Sequence, residues 1–446
     1  MPLIAEFGNL FFIIVAFIAA LSVIVAIHEY GHYIVGRWCG IKAEVFSIGF
    51  GPVLLARKDR HGTRWQIAAL PFGGYVKFLG DGDAASATGD KSVEAMAPET
   101  RRQTMFGAPL WARSATVAAG PMFNFLFSIA VFGAVMLGQG KVEPPYVIDR
   151  LVPVPAAGIE LRAGDELVAI EGVSFPDLTD PETDFGAFTL ALPEKELLAY
   201  EVRREGQQIV VPGPHISPNI VSGLVPRSAA IDAGLRQGDV IVALDDAPIY
   251  AFNQLREVVE SSEGRALDLT VWRDGEILDL TLTPRRSDEP RAEGGFETHW
   301  RIGITGGMPF ELETTSRGLT DAAGDAVAQT WTVISGSISG LYHMITGAIS
   351  SCNMSGPIGI AEVSGNMASQ GVDSFIWFIA VLSTAVGLLN LFPIPVLDGG
   401  HLVFHAYEAV AGKPPSERAL KVMMSVGLTL ILSVMVFALL NDIFCP

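Results

Sequence analysis

The sequence predicts a polytopic α-helical membrane protein with about four transmembrane helices, a membrane-associated β-hairpin and two inserted α+β domains. Three observations carry that prediction. Half of the 446 residues are apolar, and mean hydropathy is +0.39. Apolar runs long enough to cross a bilayer lie at Asn9–Tyr33, Val117–Leu137, Phe375–Leu391 and Val422–Leu440. Between the second and third runs, a pattern recurs after 73–74 residues.

The first run contains the chemistry. His28-Glu29-Tyr30-Gly31-His32 is a His-Glu-x-x-His motif. On a helix, residues four apart share a face, so His28 and His32 can share a Zn²⁺ while Glu29 stands beside them as a base. At 1.5 Å per residue, Leu10 to His28 spans roughly 27 Å, close to the far edge of a hydrocarbon core about 30 Å thick. Ionisable groups at that depth point to function. Catalytic zinc takes three protein ligands, so a third must come from elsewhere.

The end of the third run supplies it: Asn390-Leu-Phe-Pro393-Ile-Pro395-Val-Leu-Asp398-Gly399-Gly400-His401. The prolines stop the helix and the glycines allow a tight turn, so Asp398 is expected on irregular backbone at membrane depth. His401 and His405, also four apart, form a competing ligand pair ranked below Asp398 because they lie beyond the span in a more hydrated place.

Charge sets the orientation. Lys and Arg are frequent from Arg37 to Arg113, and none precedes Arg37. The positive-inside rule then puts residues 39–114 in the cytoplasm, the active site near that side, and the segment after the second span in the periplasm. The net charge of −18 gathers in that outer segment and argues against a nucleic-acid partner. The amino terminus has Glu6 and no basic region before its apolar run, so it does not read as a removable signal peptide. Cys39, Cys352 and Cys445 are too few for a disulfide framework and read as bystanders, although Cys352 and Cys445 share the outer side and could pair.

The organisation expected is a first transmembrane helix (1–38), a cytoplasmic loop with a re-entrant hairpin (39–114), and a second transmembrane helix (115–140). Two repeat domains (141–213 and 214–286) and a linker with periplasmic amphipathic helices (287–372) follow. A third transmembrane segment (373–400) and a loop with the fourth helix (401–446) complete the chain. Arg64–Phe78 reads as two short strands around Pro71 and Gly73-Gly74, Asp81–Thr100 as a polar loop, and Ser287–Gly294 as a linker. In the repeat, Leu161-Arg-Ala-Gly-Asp165 recurs as Leu235-Arg-Gln-Gly-Asp239, each feeding an apolar strand. The pattern resembles tandem PDZ domains of the bacterial type, more closely in the second copy; Glu182–Leu198 fits the first poorly.

Taken together, the His28–His32 motif, the Asn390–Gly399 motif, the repeat and Ser355-Gly-Pro-Ile-Gly resemble the site-2 protease family, over nearly the full length, and within it the bacterial branch that regulates the extracytoplasmic stress response. The resemblance implies a multi-pass inner-membrane zinc metalloprotease. Such enzymes cut single-span membrane proteins of the anti-sigma-factor type after a first periplasmic cleavage, and in some members leftover signal peptides. It implies Zn²⁺ held by His28, His32 and Asp398, with Glu29 as general base. It also implies a substrate-facing hairpin containing Gly73, Gly74 and Tyr75, with Asn390 and Pro393 along the substrate path. The PDZ-like pair would act as a size filter or take peptide C-termini. The alternative from another class is a non-catalytic, membrane-embedded PDZ binding protein or chaperone with structural zinc, which would want a closed shell of four protein ligands and no base.

Overall fold

The computed structural model describes residues 2–81, 96–291 and 295–445. The chain divides into two compact units: Met1–Val135 with Thr320–Met344 and Ser351–Pro446, and Met136–Leu319 with Ile345–Ser350. In the first unit, helix α1 (Pro2–Trp38) leads into strands β1 (Ala43–Lys58) and β2 (Arg64–Phe78), the short α2 (Pro98–Arg102) and the long α3 (Leu110–Gln139). The expected polar loop falls mostly in 82–95, outside the described residues.

The hairpin differs from the expectation. Arg64–Phe78 is one strand rather than two, and its partner is the preceding Ala43–Lys58. Both strands are bent. Residues 45–48 of β1 lie between 74–77 and 64–67 of β2, while 53–58 pair with 64–68, so two strands make a four-ribbon sheet. Gly49 and Gly51, at φ +89° and +83°, permit the bend in β1. Among the described residues, the 74–78 edge has no second strand beside it.

The second unit holds the repeat. In its first module, β3 (Ile148–Leu151) precedes a sheet of order β5-β4-β6-β7 formed by β4 (Glu166–Ile170), β5 (Val173–Ser174), β6 (Leu197–Arg204) and β7 (Gln207–Pro214), with helix α4 (Phe185–Leu190). In the second, β8 (Gly223–Leu224) and α5 (Ala229–Asp232) precede a sheet of order β10-β9-β11-β12. It comprises β9 (Val240–Leu244), β10 (Ala247–Pro248), β11 (Leu267–Arg273) and β12 (Glu276–Leu282), with helix α6 (Phe252–Ser261).

The two Asp residues of the repeat explain its recurrence. Asp165 and Asp239 are each 1% exposed and accept a bidentate pair from the arginine ending the third strand. Arg204 reaches Asp165 at 2.7 and 2.8 Å, and Arg273 reaches Asp239 at 2.6 and 2.7 Å. Each carboxylate also accepts a backbone N–H three residues earlier, from Arg162 or Arg236, and so fixes the turn that launches the sheet.

The expected linker at Ser287–Gly294 is corrected. β13 (Arg285–Pro290) pairs with β14 (Phe296–Arg301), because the side chains of the run find partners: Arg301 with Glu289 and Glu260, Thr298 with Asp288. The domain boundaries shift too. β15 (Ile304–Thr305) pairs with β8 and Ile302 enters the second core, after which β16 (Phe310–Leu312) pairs with β3 and Phe310 enters the first. The chain leaves the first module unfinished and completes it only after the second.

α7 (Leu319–Ile345) is a single long helix within the segment expected to carry amphipathic helices. α8 (Pro357–Ser369), α9 (Val372–Asn390), α10 (Asp398–Ala411) and α11 (Glu417–Phe444) follow. Among the described residues, four helices are long and apolar enough to cross a membrane: Leu10–Trp38, Leu110–Gln139, Val372–Asn390 and Glu417–Phe444. Small polar groups join them, as Ser128 donates to the Ala380 carbonyl at 2.8 Å and Ser383 to that of Asn124 at 3.2 Å. Cys352 and Cys445 are no bystanders: they form a disulfide between the approach to α8 and the end of α11. Beside it, Asp442 accepts the N–H groups of Gly356, Ile358 and Gly359, which places the Ser355-Gly-Pro break against the last helix.

Candidate metal centre

α1, α3 and the start of α10 converge on one point. His28 Nε2 and His32 Nε2 are 3.2 Å apart, and Asp398 approaches them at 3.1 and 3.5 Å. Four donors around a zinc at about 2.0 Å stand roughly 3.3 Å from one another, so these spacings are those of a tetrahedral shell. Among the described residues this is the one group of three such side chains whose donor atoms all lie within 4.8 Å.

The protonation pattern also asks for a cation. His32 Nδ1 lies 2.9 Å from the Thr116 carbonyl, to which it can only donate, so its Nε2 carries the lone pair. His28 Nδ1 faces the Asn124 amide nitrogen at 3.3 Å, while Asn124 Oδ1 is buried without a partner. Rotating that amide by half a turn brings Oδ1 to the imidazole, so that Nδ1–H donates to Oδ1 and His28 Nε2 also presents a lone pair. Two lone pairs and a carboxylate whose Oδ2 is buried without a hydrogen-bond donor then face one another. Such a donor set is repulsive until a divalent ion joins it.

Two close approaches make the convergence possible. A Cβ on Gly120 would lie 2.4 Å from His32 Nε2 and 2.8 Å from His28 Cε1, and one on Gly31 would lie 2.4 Å from the Ala119 carbonyl oxygen. Asp398 is the first residue of α10, not part of the irregular turn. That turn is Leu391–Leu397, where Val396 takes φ +105°. Cβ atoms at Gly399 and Gly400 would fall 2.3–2.4 Å from carbonyl oxygens of that turn.

Glu29 faces the backbone N–H of Val76. Gly74 lets β2 lie against it, since a Cβ there would be 3.2 Å from Glu29 Cγ. Both residues line a cavity of about 580 Å³ that includes the histidine pair, Asp398, Tyr75 and Asn390. Gly73 and Pro393 are not in its wall. Asn390 donates its amide to the Val386 carbonyl on its own helix at 3.0 Å. His401 and His405 line this same cavity, in place of the separate hydrated location expected. Burial, then the Arg113 guanidinium and His401, push the His405 imidazole down to about 4, and its Nδ1 lies 3.2 Å from the Ser114 hydroxyl.

Comparison with known proteins agrees with this geometry. Residues 16–434 match the model of peptidase family M50. The chain belongs to this family of zinc-dependent, site-2-type proteases. A protein of Agrobacterium fabrum named as a zinc metalloprotease is 36% identical over 445 residues, covering 99% of this chain and 98% of that one. The regulator of sigma E protease of Salmonella typhimurium is 36% identical over 453 residues, covering 96% and 97%. Membership makes this M50 chain a zinc metalloprotease, and three protein ligands with a fourth position open are what a catalytic zinc requires, in contrast to the closed shell of a structural site.

Sequence reasoning missed Thr116, Gly120 and Asn124. The signal was present in Gly120-Pro121 and Asn124, a helix breaker and a buried amide inside an apolar run.

Proposed function

We propose that the protein cuts single-span membrane proteins within the bilayer, as the second step after a periplasmic cleavage, with anti-sigma factors as the substrate class. In this reading His28, His32 and Asp398 hold the zinc, which acidifies water and polarises a carbonyl. Glu29 takes the proton from the attacking water and returns it to the leaving amine. Thr116 and Asn124 fix the two imidazoles with their Nε2 atoms inward.

The observation that carries the proposal is the open edge of β2 beside Glu29. A helical substrate shields its peptide bonds and must unwind to be cut. An unwound segment in lipid leaves N–H and C=O groups unsatisfied, at several kcal/mol each. On this edge Phe78 is already tied to Asp81, and Gly74 and Val76 line the metal cavity, so substrate addition beside Gly74 and Val76 would compensate the unwinding and present the chain to Glu29. Tyr75 and Asn390, in the same wall, are the side chains placed to touch it.

Sidedness follows two independent cues. The loop before α3 is basic, which favours the cytoplasm. The Cys352–Cys445 disulfide belongs in an oxidising compartment, which favours the periplasm for the end of α11 and the start of α8. The repeat modules then lie in the periplasm as PDZ-like filters that exclude substrates with bulky outer domains. The name of the Salmonella relative, a regulator of sigma E protease, supports the anti-sigma class.

The test is co-expression of wild type or Glu29→Gln with a tagged single-span substrate whose outer domain has been removed. A shortened product with wild type alone is expected. An intact substrate with both, while both retain zinc, would overturn the reading.

A further inference from the structure

We propose that Arg113 and Glu408 form a positioning clamp that sets the distance of Asp398 from the histidine pair and so tunes zinc affinity. The inference rests on the reading of Asp398 as the third ligand.

On α3, Arg113, Thr116, Gly120 and Asn124 follow one another at helical spacing and share a face. The last three touch or back the histidines. On α10, Asp398, His401, His405 and Glu408 share a face in the same way. The two faces meet across one cavity wall in opposite directions. Asp398 stands by the histidines, and ten residues later Glu408, roughly 15 Å along the helix, meets Arg113.

The meeting is a fork against a fork. Arg113 Nη1 donates to Glu408 Oε2 at 3.1 Å and Nη2 to Oε1 at 2.6 Å, with the side chains 14% and 19% exposed. Ser114 and His405 add a second cross-link one turn away. Asp398 itself begins a helix that follows an irregular turn, so the packing of Gly399 and Gly400 constrains its near end only. A bidentate pair at the far end removes the remaining freedom of α10 to slide or tilt along α3. A zinc donor must be placed to about 0.2 Å, and a rigid helix transmits a small displacement at Glu408 to its first residue. The pair touches neither metal nor reacting atoms, so both members are positioning residues.

The experiment measures zinc affinity of the purified full-length protein in detergent by competition with a chromophoric chelator, alongside the melting temperature of each variant. Arg113→Gln and Glu408→Gln should each weaken zinc binding about 10-fold or more. The double exchange Arg113→Glu with Glu408→Arg should restore it to within a few-fold of wild type, which a general loss of stability would not do. Should the neutral variants fail to fold, Arg113→Lys, which keeps the charge and loses the fork, and Glu408→Asp, which keeps the charge and shortens the reach, carry the same test. Wild-type affinity in the single variants overturns the clamp, as does an exchange variant as weak as the singles. Asp398→Asn measured in parallel separates the two readings, because unchanged affinity there removes the ligand assignment instead.

Discussion

Gly120 offers the sharpest test of the packing behind the metal centre. In Gly120→Ala the new methyl would stand 2.4 Å from His32 Nε2, 2.5 Å from His32 Cε1 and 2.8 Å from His28 Cε1. Ordinary contact begins near 3.5 Å, so the rings must retreat by about 1 Å. Neither neighbour yields easily. Gly31 already packs its α-carbon on the Ala119 backbone, so α1 and α3 are in contact at the adjoining residue of each helix. His32 Nδ1 is tied to the Thr116 carbonyl, so its ring cannot swing without losing that bond. Zinc tolerates about 0.2 Å of error in a donor, and affinity should fall at least about 100-fold, or roughly 2.7 kcal/mol. The control is Gly133→Ala on the same helix, where the nearest atom is the Ala326 Cβ at 3.7 Å. The assay is zinc content after dialysis against graded chelator. Wild-type zinc retention in Gly120→Ala, with Gly133→Ala unchanged, would refute the close approach of α3 to the ligands.

Two further predictions follow from residues outside the site. The β1–β2 turn depends on Asp59, whose carboxyl, in spite of a burial effect that raises it, is lowered to about 2 by N–H and O–H donors from Trp65, Thr63, His61 and Tyr33. A depressed carboxyl stabilises above its unfolded value of about 3.9 and stops doing so as pH falls through about 2, so the protection of the His61 and Thr63 amides against exchange, taken relative to the unfolded chain at the same pH, should fall across that window and be lost at all pH in Asp59→Ala. In the repeat, Asp165→Asn and Asp239→Asn should each cost about 2–3 kcal/mol, less than a fully buried pair because the arginines are partly exposed. Thermal unfolding of the two variants tests whether the repeated residues are structurally equivalent, and a loss in one copy alone would contradict that.

Legibility of the sequence tracked how local the information was. His28, Glu29 and His32 lie within one helical turn, and the membrane spans are set by composition, so both could be read directly. Asp398 was legible because prolines and glycines surround it. What was lost was nonlocal. Glycines in β1 disguised a long bent strand, so the hairpin was placed within β2 alone. The charged run at Ser287–Gly294 read as linker because its partners, Thr298 and Arg301, are contributed by another strand. The disulfide joins residues 93 positions apart, and the boundaries of the modules failed because β16 returns to a strand laid down some 160 residues earlier. Arg113 and Glu408 are 295 residues apart and carried no signal in sequence.

The central claim is that zinc held by His28, His32 and Asp398, with Glu29 as base, cuts a peptide bond inside an apolar segment. The most direct measurement is mass spectrometry of products from a single-span substrate incubated with purified protein stripped of zinc and then re-supplied. The account predicts no product without zinc, recovery with it, a new terminus inside the substrate's apolar run, and no product from Glu29→Gln that has been reloaded with zinc. Cleavage that persists in reloaded Glu29→Gln, or a cut confined to the substrate's soluble flank, would contradict it.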